Sequence, residues 1–106
     1  MASEPLSRQD IDKALGELPG WALAGDRIER TYTFEGHLAA AAMVGQIARV
    51  QEALNHHADL TLSYNKLTAS ANTHSAGGKV TELDLELAHR IEQIAAEHGV
   101  GGTKGR

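Results

Sequence analysis

Six histidines in a chain of 106 residues that contains no cysteine are the side chains best suited to chemistry. Three of them, His56, His57 and His74, are the candidates for a shared site. Imidazole loses its proton near neutral pH, so neighbouring histidines can act as general acid and general base, while three neutral rings can hold zinc. Residues adjacent in sequence, such as His56 and His57, point apart on regular structure and make a poor metal pair. The pattern therefore favours proton transfer over metal binding.

The hairpin after the histidine pair indicates how far His57 lies from His74. If Asn65-Lys66 is a two-residue turn, Tyr64 opposes Leu67. The same register places His57 opposite His74. Directly opposed residues on antiparallel strands have Cβ atoms about 4.5–5.5 Å apart. We therefore expect two imidazoles at the same end of the sheet, beside the other histidine of the pair.

Other titratable residues have simpler interpretations. Asp84 stands three residues after Thr81, a spacing that predicts a capping box at the start of a helix. Glu52 lies one turn before His56 and is interpreted as a solvated helix residue or as the i,i+4 partner of that histidine. The remaining histidines are predicted to be surface residues: His37, His89 and His98.

Changes in hydrophobic periodicity predict the element order α-β-β-α-β-β-α. Helical spacing predicts three helices, at about 8–18, 37–54 and 81–98. Alternation predicts two hairpins, at 21–34 and 60–72. Gly25-Asp26 is the predicted turn of the first hairpin, and Gly99 the predicted stop of the last helix. This order predicts an α+β fold, in which a four-stranded, mainly antiparallel sheet carries helices on one face. Arg30 interrupts the apolar row of the second strand, which indicates an edge or a partner surface.

Length and composition limit the classes of function. We expect a single domain over 1–106, with an ordered core at about 7–98 and a flexible, glycine-rich tail at 99–106. A net charge of −4 without a run of lysines or arginines disfavours direct binding to nucleic acid. Neither a signal peptide nor a membrane-spanning run is visible, so we expect a cytoplasmic protein that does not bind membranes. The thin core of so short a chain favours a homodimer or homotetramer.

Several of these residues also form a spaced motif. It comprises Glu52, His56-His57, Tyr64, His74 and Asp84, together with Gly20-Trp21, the Asn65-Lys66 turn and the Thr73-His74 pair. Over residues 18–95 the motif closely resembles the pterin-4a-carbinolamine dehydratase family. The resemblance implies a lyase that dehydrates 4a-hydroxytetrahydropterin to quinonoid dihydropterin, a step in recycling the pterin cofactor of aromatic amino-acid hydroxylases. It implies neither a metal nor an organic cofactor.

The resemblance also implies roles for individual residues. The implied catalytic residues are His56, His57, His74 and Asp84, and the implied substrate-binding residues are His56, His57, Ala58, Thr73, His74 and Ser75. Dehydration needs an acid near the departing hydroxyl and a base near N5, and we expect His56 and His74 to transfer these protons. His57 is expected mainly to hold the pterin. Asp84 is expected to orient an imidazole or to raise its pKa.

Two positions depart from the family pattern. Ala58 stands where the family commonly has proline, and Leu60 stands where it has an aromatic residue. The loss of proline frees the backbone after the histidine pair, and the loss of the ring removes packing near the pocket mouth. We therefore expect substrate affinity to change more than the chemistry.

Two alternatives to the enzyme remain open. Some members of the family resemble dimerisation cofactors and assembly factors, so a non-enzymatic role of that kind is the main alternative. The three histidines and Asp84 favour the enzyme, whereas Ala58 and Leu60 leave room for a binding module. The other alternative is a histidine metal site, which requires stoichiometric zinc in the purified protein.

Overall fold

The structure, a computed structural model, describes residues 4–98, so the predicted tail and the Gly99 helix stop lie outside the described residues. The helices are α1 (Arg8–Leu15), α2 (His37–Leu54) and α3 (Glu82–Glu97), and the strands are β1 (Ala22–Ala24), β2 (Arg27–Thr33), β3 (Asp59–Ser63) and β4 (Lys66–Ala71). A 3₁₀ turn, His74–Ala76, lies between β4 and α3. Within the described part of the chain, no helix combines the length and the apolar character needed to cross a bilayer.

The four strands form one antiparallel sheet in the order β1-β2-β4-β3. The inner face of this sheet is apolar, and its residues share one core with α2 and α3; the buried members include Ile28, Tyr32, Leu67, Ala69, Met43 and Ile91. The outer face is polar, and the hydroxyls of Thr31 and Thr68 lie 2.8 Å apart on it. The predicted α+β class, with helices on one face of the sheet, is confirmed.

Local signals fix the ends of the helices. The Oγ of Ser7 accepts the Asp10 N–H at 3.0 Å at the start of α1. This helix ends three residues before the predicted end, because residues 16–18 form tighter i,i+3 turns that place Leu18 in the core. The helix α2 ends as predicted at Leu54, and Asn55 after it has a φ of 55°, which lies in the left-handed region. The predicted capping box of Thr81 and Asp84 begins α3.

The turn between β3 and β4 differs from the prediction. It consists of Tyr64 and Asn65, and Ser63 pairs with Lys66, so the predicted Asn65-Lys66 turn is wrong. The reason is an anchor at the end of β2: Asn65 Nδ2 donates to the carbonyl of Phe34, and the Phe34 N–H donates to the carbonyl of Asn65, both at 2.8 Å. This anchor makes Lys66 the first residue of β4.

The corrected register removes the predicted opposition of His57 and His74. The shift is by an even number of residues, so every strand residue keeps its predicted face of the sheet. Because β3 begins at Asp59 and β4 ends at Ala71, however, both histidines lie beyond the ends of the ladder. Loops, and not strand pairing, must position them.

Arg30 lies on an interior strand, so the edge suggested by the sequence is wrong. Its guanidinium lies 4.6 Å from the centre of the Tyr32 ring, and its Nε lies 3.8 Å from Glu92 Oε2. Glu92 also accepts hydrogen bonds from Trp21 Nε1, at 2.9 Å, and from the Tyr32 hydroxyl. We call Trp21, Arg30, Tyr32 and Glu92 the Glu92 cluster. It joins α3 to β2 and to the segment before β1.

Burial raises the pKa of the Tyr32 hydroxyl well above its ordinary value. The hydrogen bond to Glu92 and the negative charge of this carboxylate act in the same direction, and the positive charge of Arg30 opposes them. The Glu92 cluster therefore keeps Tyr32 protonated.

Candidate active site

A cavity of about 590 Å³ opens where α2 ends and where β4 leads into α3. Its volume lies within the range of roughly 300–1,000 Å³ that is typical of small-molecule sites. Five of the predicted site residues line it: His56, His57, Thr73, His74 and Ser75. The other two, Ala58 and Asp84, lie behind this lining, half-buried and fully buried respectively. The structure therefore brings the three histidines to one cavity.

The first loop of the cavity follows α2 and carries His56 and His57. Asn55 turns the chain out of the helix in its left-handed conformation. The buried Gln51 then holds the loop twice, because its carbonyl accepts the His56 N–H at 3.0 Å and its Oε1 accepts the Ala58 N–H at 2.8 Å. Gln51 fixes the loop that bears the histidine pair, and the sequence analysis did not identify it.

The second loop of the cavity connects β4 to α3 and carries His74 and Ser75. Thr73 closes the loop by backbone hydrogen bonds, donating to the Lys79 carbonyl at 2.8 Å and accepting from Gly78 at 3.0 Å. Asn72 Nδ2 adds a hydrogen bond of 3.0 Å to the Gly78 carbonyl. The sharp return is possible because Gly77 and Gly78 both adopt a φ of 76°.

Asp84 is the buried centre of the site. Its Oδ1 lies 2.6 Å from His56 Nε2. Its Oδ2 accepts the Thr81 N–H and the Thr73 hydroxyl, both at 2.8 Å. The position of this carboxylate in the first turn of α3 places it in the favourable field of the helix N-terminus. Asp84 therefore caps α3, as predicted from the sequence, and also contacts His56.

The hydrogen bonds around Asp84 form a directed chain. The Leu83 N–H donates to Thr81 Oγ1 at 3.1 Å, and the Thr73 hydroxyl uses its one proton on Asp84. In the 2.7 Å contact between the two threonine hydroxyls, Thr81 must therefore be the donor. With both carboxylate oxygens accepting, the Nε2 of His56 donates to Oδ1. The Nδ1 of His56 has no hydrogen-bond partner among residues 4–98, and in the neutral ring it is the acceptor.

The other two histidines have different environments. His57 Nε2 lies 2.7 Å from Glu52 Oε2, and both side chains are exposed. Glu52 therefore pairs with His57. The predicted i,i+4 pair of Glu52 with His56 does not form, because the chain leaves the helix at Asn55. The His74 ring is exposed and makes no hydrogen bond to any residue between 4 and 98. Within the same range, no three histidine, aspartate or glutamate side chains are grouped so that they could hold a metal ion together.

The family described as Pterin 4 alpha carbinolamine dehydratase matches residues 4–94 of this chain. The chain belongs to this family. A Streptomyces avermitilis protein with the provisional name pterin-4-alpha-carbinolamine dehydratase is 59% identical over 93% of this chain and 98% of its own length. A Streptomyces coelicolor protein with the same provisional name is 54% identical over the same shares.

A solved structure from Brucella melitensis, described as a transcriptional coactivator/pterin dehydratase, is also similar to this chain. It superposes with a TM-score of 0.82, is 31% identical, and covers 87% of this chain and 99% of its own chain. The resemblance of the spaced histidine motif to the pterin-4a-carbinolamine dehydratase family is therefore confirmed, and the fold predicted from the element order agrees with that of the similar structure.

Four polar side chains that line the cavity were not predicted as site residues: Arg27, Asn55, Asp59 and Asn72. Arg27 and Asp59 lie on the outer face of the sheet, and their proximity depends on the pairing of β2 with β4, which the sequence did not predict. With the observed register, Asp59 is opposite Ser70, which contacts Arg27. The alternation of polar and apolar residues along β3 and β4 places Asp59 and Ser70 on the same polar face, and this is the signal available in the sequence.

Proposed function

We propose that this protein dehydrates 4a-hydroxytetrahydropterin to quinonoid dihydropterin, with release of water, by histidine acid/base catalysis. In this reaction the C4a–O bond breaks, N5 loses its proton, and a C4a=N5 double bond forms, so no redox partner is needed. The observation that carries the proposal is the buried His56–Asp84 pair at a cavity that two further histidines line. Family membership supports the same reaction class.

We assign the general base to His56 and the general acid to His74. Because His56 donates Nε2–H to Asp84, its Nδ1 is the atom that accepts the proton from N5. His74 is free to protonate the departing hydroxyl, since no residue between 4 and 98 occupies its ring nitrogens. His57 is assigned to holding the pterin, together with Thr73, Ser75 and the backbone at Ala58. Asp84 orients His56 through the 2.6 Å contact between its Oδ1 and the Nε2 of this ring.

The same proposal includes a homodimer or homotetramer, located in the cytoplasm. An exposed apolar patch supports self-association: Leu38 is 84% exposed, Tyr64 is 69% exposed and Leu62 is 38% exposed. His37 Nδ1 lies 2.7 Å from the Tyr64 carbonyl, which brings the start of α2 next to the β3–β4 turn. Light scattering coupled to gel filtration measures the assembly, and a monomer at all concentrations would contradict it.

The dehydratase proposal is tested by mixing the protein with freshly generated 4a-hydroxytetrahydropterin and following the ultraviolet change. Dehydration faster than in buffer alone is the expected result, and it should persist after dialysis against a chelator. A rate equal to that in buffer would overturn the proposal. That result would favour the second candidate, a non-enzymatic assembly cofactor, which is supported by the exposed apolar patch and by the coactivator description of the Brucella melitensis protein.

A further inference from the structure

The cavity wall contains an ion pair that the proposed chemistry does not use. Arg27 at the start of β2 and Asp59 at the start of β3 both line the cavity, and Arg27 Nη2 lies 2.6 Å from Asp59 Oδ2. Both residues lie on the polar outer face of the sheet, where Asp59 is 80% exposed and Arg27 is 32% exposed. The pair therefore occupies the solvent side of the cavity, whereas His56 occupies its buried side.

Ser70 fixes the guanidinium of Arg27 in one orientation. Arg27 Nε donates to Ser70 Oγ at 2.6 Å, and Nη2 donates to the Ser70 carbonyl at 3.1 Å as well as to Asp59. The Ser70 hydroxyl in turn donates to Glu29 Oε2 at 2.9 Å. An exposed ion pair contributes little to stability, so this set of contacts is better explained by orientation of the arginine than by folding.

Two polar groups of the pair, Nη1 of Arg27 and Oδ1 of Asp59, make no hydrogen bond within residues 4–98. Three of the five N–H donors of Arg27 are used on Ser70 and Asp59, which leaves both N–H groups of Nη1 without a partner among residues 4–98. Asp59 Oδ1 likewise accepts no hydrogen bond within these residues. The wall therefore presents a fixed donor next to a free acceptor.

We propose that Arg27 and Asp59 form a specificity-determining pair that binds hydroxyl groups of the substituent at C6 of the pterin. The inference rests on the proposed dehydratase function. C6 is bonded to N5, so its substituent is carried beside the histidines. A hydroxyl group accepts from Nη1 and donates to Asp59 Oδ1, whereas a methyl group does neither. A carboxylate would accept from Arg27 but would be repelled by Asp59.

The test compares two substrates, the 4a-hydroxytetrahydropterins with a methyl or a dihydroxypropyl group at C6. The wild-type protein is expected to have a KM about tenfold lower for the dihydroxypropyl substrate, the effect of one hydrogen bond to a charged group. In Arg27→Met this advantage is lost, and in Arg27→Lys it is also lost, since lysine lacks the fixed second pair of donors. The matched control is Arg90→Met, at an exposed arginine paired with Glu86 on α3, which should retain the advantage.

A second measurement separates this inference from the dehydratase proposal. Calorimetric titration of the wild type and of the Arg27 variants with stable 7,8-dihydropterins carrying the same two substituents reports binding without turnover. The same tenfold preference, lost in both Arg27 variants, is the expected result. Equal affinities for the two ligands in the wild type would overturn the proposed role of Arg27 and Asp59 in specificity. A preference that survives in both folded Arg27 variants would also overturn it. Absence of turnover with unchanged binding preferences would overturn the dehydratase proposal alone.

Discussion

The helix α3 carries two carboxylates in polar clusters, Asp84 in its first turn and Glu92 about 12 Å further along its axis. Asp84 accepts from a backbone N–H, a threonine hydroxyl and the imidazole of His56. Glu92 accepts from an indole and a phenol and lies near a guanidinium. Both carboxylates tie α3 to other elements, yet only Asp84 adjoins a residue that lines the cavity.

The difference lies in the chemistry of the partners. An imidazole changes its charge near neutral pH, whereas indole, phenol and guanidinium do not. The Glu92 cluster fastens α3 to the sheet, and burial raises the pKa of Tyr32, which keeps its hydroxyl protonated. The Asp84 network combines fastening with a group that can exchange protons. In the proposed mechanism the first turn of α3 positions His56, whereas Glu92 in a later turn joins α3 to the sheet.

The largest expected effects come from removing the histidines on the Asp84 side. His56→Ala should lower kcat by about 10²–10⁴-fold, the contribution typical of a general acid or base. It should also reduce the free energy of unfolding by about 1–3 kcal/mol, because Asp84 Oδ1 loses its partner inside the protein. Ultraviolet dehydration assays and urea unfolding measure the two effects.

His74→Ala is the matched variant, because the ring of His74 is exposed and makes no hydrogen bond within residues 4–98. It should lower kcat over the same range and leave the free energy of unfolding within about 0.5 kcal/mol of the wild type. A fully active His74→Ala protein would remove this histidine from the mechanism.

Exchanging each carboxylate for its amide tests the contrast between the two clusters directly. Asp84→Asn should lower kcat roughly 10–100-fold, the size found when a partner that orients a metal-binding histidine is changed. Glu92→Gln should keep kcat within about twofold and instead reduce the free energy of unfolding by about 1–3 kcal/mol, because the hydrogen bonds from Trp21 and Tyr32 weaken. Both variants are compared by kcat of the folded fraction and by urea unfolding. A loss of kcat in Glu92→Gln equal to that in Asp84→Asn would erase the distinction.

The sequence predicted the Asp84 network better than the Glu92 cluster for a physical reason. The capping box is a local pattern, since Thr81 and Asp84 are three residues apart. The motif around His56 and His74 added the long-range contact through family resemblance. The Glu92 cluster joins residues 60 and 71 positions apart, and no local rule relates them. Arg30 was therefore predicted to mark an edge or a partner surface, although it lies on an interior strand and belongs to this cluster.

The β3–β4 register shows the same limit. Alternation identified the correct faces of both strands, but the turn depended on the contact of Asn65 with Phe34, 31 positions earlier in the chain. The predicted opposition of His57 and His74 was wrong, and both residues line the cavity because loops fixed by Gln51 and Thr73 position them.

A glycine substitution tests the packing of the Glu92 cluster. Gly20 has a φ of 91°, and a Cβ atom there would lie 1.5 Å from Arg30 Nη1. Gly20→Ala should reduce the free energy of unfolding by about 3 kcal/mol, since backbone strain adds to displacement of the arginine. Gly25→Ala is the control, because Gly25 also has a positive φ but no atom within 4 Å of the added Cβ, and about 1 kcal/mol of strain is expected. Equal losses in urea unfolding would show that Arg30 does not need the space at Gly20.

The smallest expected effect concerns alkaline pH and separates the two tyrosines of the chain. Tyrosine becomes charged when it loses its proton, at a pKa of about 10 in an unfolded chain. Below pH ~10 the hydroxyl of Tyr32 is protonated in both the folded and the unfolded protein. Above it, the unfolded chain releases a proton that the folded protein retains, because burial and Glu92 raise the pKa of Tyr32. The free energy of unfolding should therefore fall by up to ~1.4 kcal/mol per pH unit above pH ~10.

Two phenylalanine variants assign this slope to one residue. Tyr32→Phe should lose most of the alkaline decrease in the free energy of unfolding, whereas Tyr64→Phe should keep it, because Tyr64 is 69% exposed at the β3–β4 turn. Urea unfolding between pH 9 and pH ~11.5 measures the slope, and tyrosinate absorbance follows ionisation in the folded protein. If Tyr32→Phe and the wild type lose stability in parallel, the Glu92 cluster does not hold this proton. The proposed difference between a fixed proton in the Glu92 cluster and an exchangeable proton in the Asp84 network would then not hold for the Glu92 cluster.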